Sequence, residues 1–338
     1  RAKQEKVKEE TKKLQKLQGE KRAMPMYWQR KFAESSHDGF ALCPISQQKD
    51  PDVWHALERL LVTDPNELGK GKDATPGQPY NRLKLVTAWR FEHPALWEAY
   101  MAAQRKVADQ VKRVKSQGKL QAPLKLQTAR AASELPGVLC AEANERILLH
   151  GAPPPAILSI LSTGANERFS GSNAGTAFGD GNCKPPAPLP TPAPLVSNTW
   201  PVCCRADFAE DAGKNDQYVT LDHHHDATNE LHKRLYAHAK HEGKVGYIFV
   251  CRVMVGHPIR TQHTGRGATS MDAGHQPVFP LSFRELRPVD GVSPPVFHHA
   301  LVVEVPRPFE LRVPGLAYDA PRILCPTRTA WWRHPSLP

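Results

Sequence analysis

Apolar residues in the first third of the chain recur at spacings that predict a helix, a strand and a second helix. Residues 54–61 (W-H-A-L-E-R-L-L) have the spacing of an amphipathic helix. Apolar side chains alternate over residues 80–91, which predicts a strand. The second helix is expected to begin near Pro94, because proline suits the first helical turn. Its packing face is predicted at Trp97, Tyr100, Met101, Val107, Val111 and Val114.

Further strands are predicted along the rest of the chain. The short apolar run 147–149 indicates a buried strand, and the mostly apolar, β-branched run 245–255 indicates another. Residues 299–305, 309–313 and 316–318 look like the final strands. The polar stretch 116–135 contains Gly118 and Pro123, so we interpret it as a linker or as a helix pair with a break.

Length and composition limit the class of protein. The 338 residues suffice for one large core or two modest domains. No apolar run approaches the ~18 residues of a membrane span, and we expect no membrane partner. The chain starts at Arg1, not at Met, so we expect a piece of a longer product. The N-terminus is charged and lacks an apolar core segment, so no secretory signal is expected. Seven cysteines without a regular framework predict a reduced nuclear or cytoplasmic location.

The charge balance favours acidic partners. A net charge of +11 suits nucleic acid or the pyrophosphate of a dinucleotide, although a solvated basic face is the alternative for any single patch. Residues 1–40 are predicted to be a charged helical or disordered linker, since its first 31 residues are rich in Lys and Glu at helical spacing. The alternative for this run is an arm that binds nucleic acid.

Two stretches have an unusual composition. Residues 222–241 contain six histidines, which suit zinc or nickel, but we favour a surface loop and predict no metal site. Residues 183–206 contain seven prolines, which favour an extended polyproline II segment. Three interpretations of this segment stay open: a surface loop, a ligand for a partner domain, or a translated intron, and we favour the last.

Several short motifs follow one another in a fixed order between residues 147 and 218. The apolar run I-L-L ends in His150-Gly151, and a glycine lets a ligand approach the backbone. A glycine-studded loop, G-S-N-A-G-T-A-F-G-D-G-N, follows at residues 171–182. The stretch A-D-F-A-E-D-A-G-K-N-D-Q-Y at residues 206–218 closes the series. Together they indicate a strand end and a loop that fold around a ligand.

In combination and order these motifs resemble the catalytic domain of the poly(ADP-ribose) polymerases, within the ADP-ribosyltransferases. The family's His-Gly-Ser/Thr is matched by residues 150–152, its Gly-x-Gly-x by residues 179–182, its Tyr-Phe-Ala by residues 207–209 and its Ser-x-x-Tyr by residues 215–218. Residues 90–100 resemble the family's Asn-Pro-x-Leu-Trp-x-x-Tyr, and residues 247–256 its strand after the nicotinamide site. The resemblance covers roughly residues 53–326.

The resemblance implies a fold and an activity. The implied fold is α+β, with ADP-ribosyltransferase-like split antiparallel β-sheets around an NAD cleft and a helical segment in front. Residues 41–135 would form a strand–helix segment, and residues 136–330 the catalytic domain with the insertion 183–206, preceded by a short helix at 156–161. The implied activity is transfer of ADP-ribose from the substrate NAD+ to a protein acceptor. We expect transfer of a single ADP-ribose unit (mono type) rather than of a chain (poly type).

The resemblance also implies roles for single residues. The backbone of Gly151 would bond the nicotinamide amide, His150 the adenosine ribose, and Tyr218 would stack on the nicotinamide. Asn215 stands in the serine position and would still bond the same amide, and Arg168 would contact the adenine side or the pyrophosphate. Ala152 and Phe208 complete the implied cofactor-binding set. Without the resemblance, His150 caps a strand and Tyr218 is a core residue.

Three positions depart from the family pattern. Ala152 replaces the hydroxyl residue after His-Gly, and Asp207 stands in place of a tyrosine. The position of the catalytic glutamate is Pro314, so Glu310 is the nearest candidate carboxylate. These departures leave open a catalytically inactive protein that binds NAD+ or ADP-ribose or acts as a scaffold. A basic interaction protein with a proline-rich docking loop is the third hypothesis.

Overall fold

The computed structural model describes residues 24–28, 39–69, 80–164, 206–237, 239–263, 265–272, 274–282, 285–304, 322–325 and 333–335. The basic run at the N-terminus and nearly all of the insertion 183–206 lie outside these ranges. So do Arg168, Glu310 and the strands predicted at 309–313 and 316–318. The predictions made for those residues stay predictions.

A two-stranded antiparallel sheet opens the described chain. It pairs β1 (Ala41–Ile45) with β2 (Ala88–Glu92), and between them lie helix α1 (Pro51–Leu60) and a 3-10 turn (Pro65–Glu67). The predicted helix at 54–61 is confirmed, but the strand predicted over 80–91 was too long, because residues 80–87 are irregular. Leu85 is nevertheless buried, so the alternating pattern there reflects packing without a strand ladder.

Helix α2 (Pro94–Ser116) confirms the second predicted helix. Proline occupies its first turn, and the His93 side chain accepts a hydrogen bond from the Leu96 N–H, which satisfies one of the unpaired donors of the helix start. The buried face repeats at helical spacing and includes Trp97, Tyr100, Val107, Val111 and Val114. The sequence pattern predicted these five residues and also Met101, but Met101 is only partly buried.

The larger sheet has seven strands, which are β3 (Glu145–Ala152), β4 (Ala206–Ala209), β5 (Val245–Met254), β6 (Pro258–Thr261), β7 (Ala300–Val303), β8 (Arg322–Cys325) and β9 (Arg333–Pro335). Their order across the sheet is β6-β7-β8-β4-β3-β5-β9. All neighbouring pairs are antiparallel except β6 and β7. The molecule is therefore a mixed α+β protein with mainly antiparallel sheets.

The sheet is narrow in its middle, between β3 and β4. Strand β3 pairs with β5 along its whole length, from Glu145↔Met254 to Ala152↔Tyr247. Its pairing with β4 consists of a single position, Leu149↔Ala209. The strands on the two sides of this position are thus joined at one point and separate beyond it.

Helices cover both faces of β3 and β5. On one face, Leu148 and Phe249 belong to a large apolar cluster with residues of α4 (Pro154–Thr163) and α6 (Glu230–Leu235). On the other face, Ile147, Leu149 and Ile248 pack against α1 and the short helix α3 (Ala129–Ala132). The alternation follows from the two-residue period of a strand. The helix predicted at 156–161 is confirmed within α4.

A buried ion pair fixes the start of β3. The Glu145 side chain is 0% exposed and accepts hydrogen bonds from Arg252 Nε at 2.7 Å and Nη2 at 2.9 Å. It also accepts from the hydroxyl of Tyr100, from Gln104 at 3.2 Å and from the Cys140 N–H at 2.6 Å. Burial alone lowers the pKa of Arg252, but the hydrogen bonds and charge of Glu145 raise it overall. The pair therefore joins α2, β3 and β5 as ions.

No helix in the described ranges combines the length and the apolar character that a membrane crossing requires.

Candidate functional site

His150 lies where β3 and β4 separate. Its Nδ1–H donates to the backbone carbonyl of Asp207 at 2.8 Å. The His150 side chain of β3 thus reaches across to the backbone of β4. Its ring lies 5.7 Å from that of Phe208 and 6.2 Å from that of Phe249, nearly parallel to the latter. These three contacts fix the position and the plane of the imidazole.

The contact with Asp207 also sets the protonation of His150. Because a carbonyl only accepts hydrogen bonds, Nδ1 bears the proton and Nε2 keeps its lone pair. Burial lowers the pKa of His150, and the hydrogen bond to the Asp207 carbonyl offsets this only in part. The side chain is thus neutral at neutral pH and offers Nε2 as an acceptor. The bond uses the backbone of residue 207, so it does not depend on the tyrosine that the family has there.

Gly151 and Asn215 bond each other. The Gly151 N–H donates to Asn215 Oδ1 at 2.8 Å, and Asn215 Nδ2 donates to the Asp211 carbonyl at 2.8 Å. A Cβ on Gly151 would lie 2.5 Å from the Asn215 carbonyl oxygen and 2.9 Å from Val219 Cγ2, so a glycine is required. The two residues that the sequence assigned to one amide group are indeed neighbours. A contact of either with nicotinamide stays a prediction, and it requires Asn215 to turn away from Gly151.

The short helix α5 (Ala212–Asp216) that precedes Tyr218 is held at both ends by the strand–helix segment. At its start, the Asp211 carboxylate accepts from the N–H groups of Gly213 and Lys214 and from the hydroxyl of Thr63 at 2.7 Å. At its end, Asp216 accepts from the Tyr80 hydroxyl at 2.6 Å and the Gly69 N–H at 3.2 Å. These bonds explain how residues before β2 position α5, which lies between two strands of the larger sheet in the chain.

Tyr218 follows α5 and is 43% exposed, so it is not a core residue. Its N–H donates to the Asn215 carbonyl at 3.0 Å, which places it one turn from the residue that bonds Gly151. The ammonium of Lys214 lies over its ring, 4.8 Å from the centroid. The ring therefore has an accessible π face that already attracts a cation.

Phe208 and Ala152 are both buried in the apolar cluster that contains Leu148 and Phe249. The Phe208 ring packs against the His150 ring, and Ala152 lies at the end of β3. A strand residue beside a site faces either a ligand or the core, and sequence spacing alone does not say which. The cofactor-binding role of these two residues stays a prediction.

Glu210 is a titratable group that the sequence interpretation missed. It follows β4 directly, is buried, and accepts a hydrogen bond from the Gln127 N–H at 2.6 Å. Burial raises its pKa to about 7, and the bond from Gln127 offsets this only in part. The only indication in the sequence was its place after Phe-Ala, so a buried carboxyl could not be inferred.

Three residues of the histidine-rich stretch lie together. Asp222, His232 and His241 place ligand atoms within 4.8 Å of one another. The Nδ1 atoms of both histidines accept backbone N–H groups, from Asp226 at 2.8 Å and from Gly243 at 3.0 Å. Each imidazole therefore bears its proton on Nε2, where it faces the Asp222 carboxylate at 2.7 Å and 3.5 Å.

This proton placement does not suit a metal. A histidine that ligates a metal through Nε2 needs its lone pair there and donates its Nδ1–H to a second group. His232 and His241 have the opposite arrangement in this structure. Asp222 also accepts from the Tyr247 hydroxyl at 2.7 Å, so its carboxylate is held by hydrogen bonds from His232 and Tyr247. His223, His224 and His225 are exposed, as expected of a surface loop, whereas His232 is buried.

The α+β fold and the geometry around His150 are the basis for any assignment. A comparison with models of known protein families and with curated proteins finds no match for the chain.

Proposed function

We propose that the chain is a NAD+-dependent protein ADP-ribosyltransferase, of the mono rather than the poly type. The observation that supports it best is the position of His150 and Gly151 beside the narrow point of the sheet, with Tyr218 linked to Gly151 through the chain. His150 and Gly151 end one strand, and Tyr218 is tied to Gly151 through Asn215. The separation of the sheet at a single pair also agrees with the split antiparallel sheets that the sequence motifs imply.

His150 is suited to binding a ribose. Its Nε2 lone pair accepts a hydrogen bond from a sugar hydroxyl, while Nδ1–H is held by Asp207. Because the ring is packed beside two phenylalanines, it loses little freedom when a ligand binds. A neutral imidazole fixed in this way positions NAD+ without having to change its protonation.

Tyr218 is suited to binding the nicotinamide. The nicotinamide ring of NAD+ is flat and cationic, and both properties favour stacking on an aromatic face. In this structure the Lys214 ammonium lies over that face, and the ring of NAD+ would take its place. The Lys214 ammonium, which also donates to Gln217 Oε1, would then leave that face.

The proposed reaction breaks the bond between the nicotinamide nitrogen and C1′ of its ribose. Nicotinamide leaves with the electron pair, and the acceptor side chain forms a bond to C1′ and loses a proton. Catalysis of this kind rests on positioning and on stabilising the oxocarbenium-like transition state. Among the described residues, His150 and Tyr218 provide the positioning. The mono type follows from Pro314, which stands where the family has the glutamate that supports chain elongation.

Transfer of label from NAD+ tests the proposal. The intact chain is incubated with NAD+ labelled on the adenine side, and protein-bound label is measured. We expect label on the protein, a loss of at least about tenfold in His150→Ala and Tyr218→Ala, and retention in Tyr218→Phe, which keeps the aromatic face. His224→Ala, a change in an exposed histidine, is the matched control. No label on the intact chain, or equal label in all variants, would refute the proposal.

A second candidate is a protein that binds NAD+ without turning it over. The observation in its favour is Pro314, since proline has no group to polarise a ribose hydroxyl. Calorimetry separates the two functions: saturable NAD+ binding that His150→Ala abolishes, without release of nicotinamide, supports the binding protein. Binding together with nicotinamide release supports the transferase.

A further inference from the structure

A cavity of about 350 Å³ lies on the opposite face of β3 from His150. Its floor is formed by Ile147 of β3 and Val250 of β5, and its walls by Leu57 of α1, Trp97 of α2 and Trp28. Ligand pockets in proteins have volumes of about 300–1,000 Å³ and are lined mainly by apolar and aromatic side chains. The cavity thus has the size and the lining of a small-molecule site.

The two arginines that line the cavity are already paired. Arg252 bonds Glu145 at 2.7 Å and the Val138 carbonyl at 2.6 Å, and Arg90 bonds Glu92 at 2.9 Å. The third charged group of the described lining is the carboxylate of Asp50, which accepts the Ser46 N–H at 3.4 Å. Because burial of an ion without a partner is unfavourable, the cavity disfavours an anionic ligand.

The walls favour an aromatic ligand. The rings of Trp28 and Trp97 lie 5.7 Å apart at 57°, and Phe91 also lines the space. Tilted aromatic rings of this kind pack well against the face or edge of another flat ring.

Exposed apolar side chains next to the lining are a second, independent observation. Met26 is 90% exposed and Val138 is 91% exposed, and each is next in sequence to a residue that lines the cavity. Gly137, which lines the cavity, has a φ of +90°, and a Cβ on it would lie 2.8 Å from the Tyr27 ring. A glycine is therefore required for Tyr27 to approach this position. Exposed apolar side chains beside a cavity are typical of a binding site.

We propose that this cavity binds a flat aromatic small molecule without a negative charge, at a site separate from the one proposed for NAD+. The ligand packs between the tryptophans and the floor at Ile147 and Val250. Its affinity comes from burial of apolar surface, since both arginines of the described lining are already paired.

Two naphthalene dyes of similar shape and different charge test the proposal on the intact chain. N-phenyl-1-naphthylamine is uncharged, and 1-anilinonaphthalene-8-sulfonate is an anion. We expect the uncharged dye to bind at one site and to reduce tryptophan emission by energy transfer from Trp28 and Trp97. The sulfonate should bind at least about tenfold more weakly, because entry would cost the desolvation of its charge.

Filling the cavity should remove the binding. Ala132→Phe and Val53→Phe place a ring into the space from two different helices, so one can be used if the other does not fold. Each should weaken the uncharged dye by at least about tenfold. Leu281→Ala, which removes an apolar side chain that is 84% exposed, should leave binding unchanged. Failure of the uncharged dye to bind, equal binding of both dyes, or binding unaffected by the filling variants would overturn the proposal. None of these outcomes depends on NAD+.

Discussion

Replacement of Glu145 by glutamine should destabilise the protein strongly, although the two side chains have nearly the same shape. The fully buried carboxylate accepts hydrogen bonds from Arg252, Tyr100, Gln104 and the Cys140 N–H. A carboxamide has only one oxygen, so its NH2 group would meet donors instead of acceptors. The change also leaves the Arg252 cation buried without its counter-charge. Loss of one member of a buried ion pair costs about 3–5 kcal/mol, and we expect Glu145→Gln to fall in this range.

Urea denaturation at neutral pH measures this loss. Whole domains are stable by about 5–15 kcal/mol, so the expected change is a large shift of the midpoint. Glu142→Gln is the matched control, because Glu142 is a nearby but solvent-exposed carboxylate, and its midpoint should hardly move. Addition of Arg252→Met to Glu145→Gln should restore part of the stability, since the lone charge is then absent. A loss below about 1 kcal/mol for Glu145→Gln, typical of a surface pair, would refute the reasoning.

Three further predictions concern the site and its surroundings. Gly151→Ala should destabilise the protein by about 1–3 kcal/mol in thermal melting, because its Cβ would lie 2.5 Å from the Asn215 carbonyl oxygen. Gly267→Ala should leave the stability unchanged, because no atom lies within 4 Å of its Cβ. Equal effects of the two variants would contradict this. The pKa of Glu210 is raised to about 7, so its stabilising contribution is full below its unfolded value of 4.5 and is lost as pH rises through about 7. Glu210→Gln should therefore be more stable than the original protein at pH 8. A difference in stability between the two proteins that is the same at pH 5 and pH 8 would contradict this. Zinc should leave the melting temperature unchanged while His232→Ala lowers it, and a zinc-dependent increase would contradict the proton placement at Asp222.

The elements that the sequence predicted well are those with a local cause. Helix α2 follows from a proline in its first turn and apolar residues at helical spacing. Strand β3 was predicted from three apolar residues, but it extends over Glu145–Ala152, because its partner β5 pairs with every position. Pairing with a distant strand is not visible in a local pattern, so strand lengths could not be predicted.

The buried charges had no local cause and were missed. Glu145 and Arg252 are 107 positions apart in the chain, and charged residues by themselves predict a surface position. Glu210 likewise bonds Gln127 across 83 positions. In both cases a backbone or side-chain donor from a distant segment makes burial possible, and only the assembled fold shows it.

The candidate site shows why some departures from a motif matter less than others. The His150 imidazole is fixed by the carbonyl of residue 207, which any amino acid supplies, so aspartate in place of tyrosine leaves this contact intact. Gly151 is different, because its role depends on the absence of a side chain beside Asn215 and Val219. A comparison of the sequence with the motif gives positions 207 and 151 equal weight. Their geometry does not, and the contact that orients the His150 ring therefore survives at a position where the motif itself is lost.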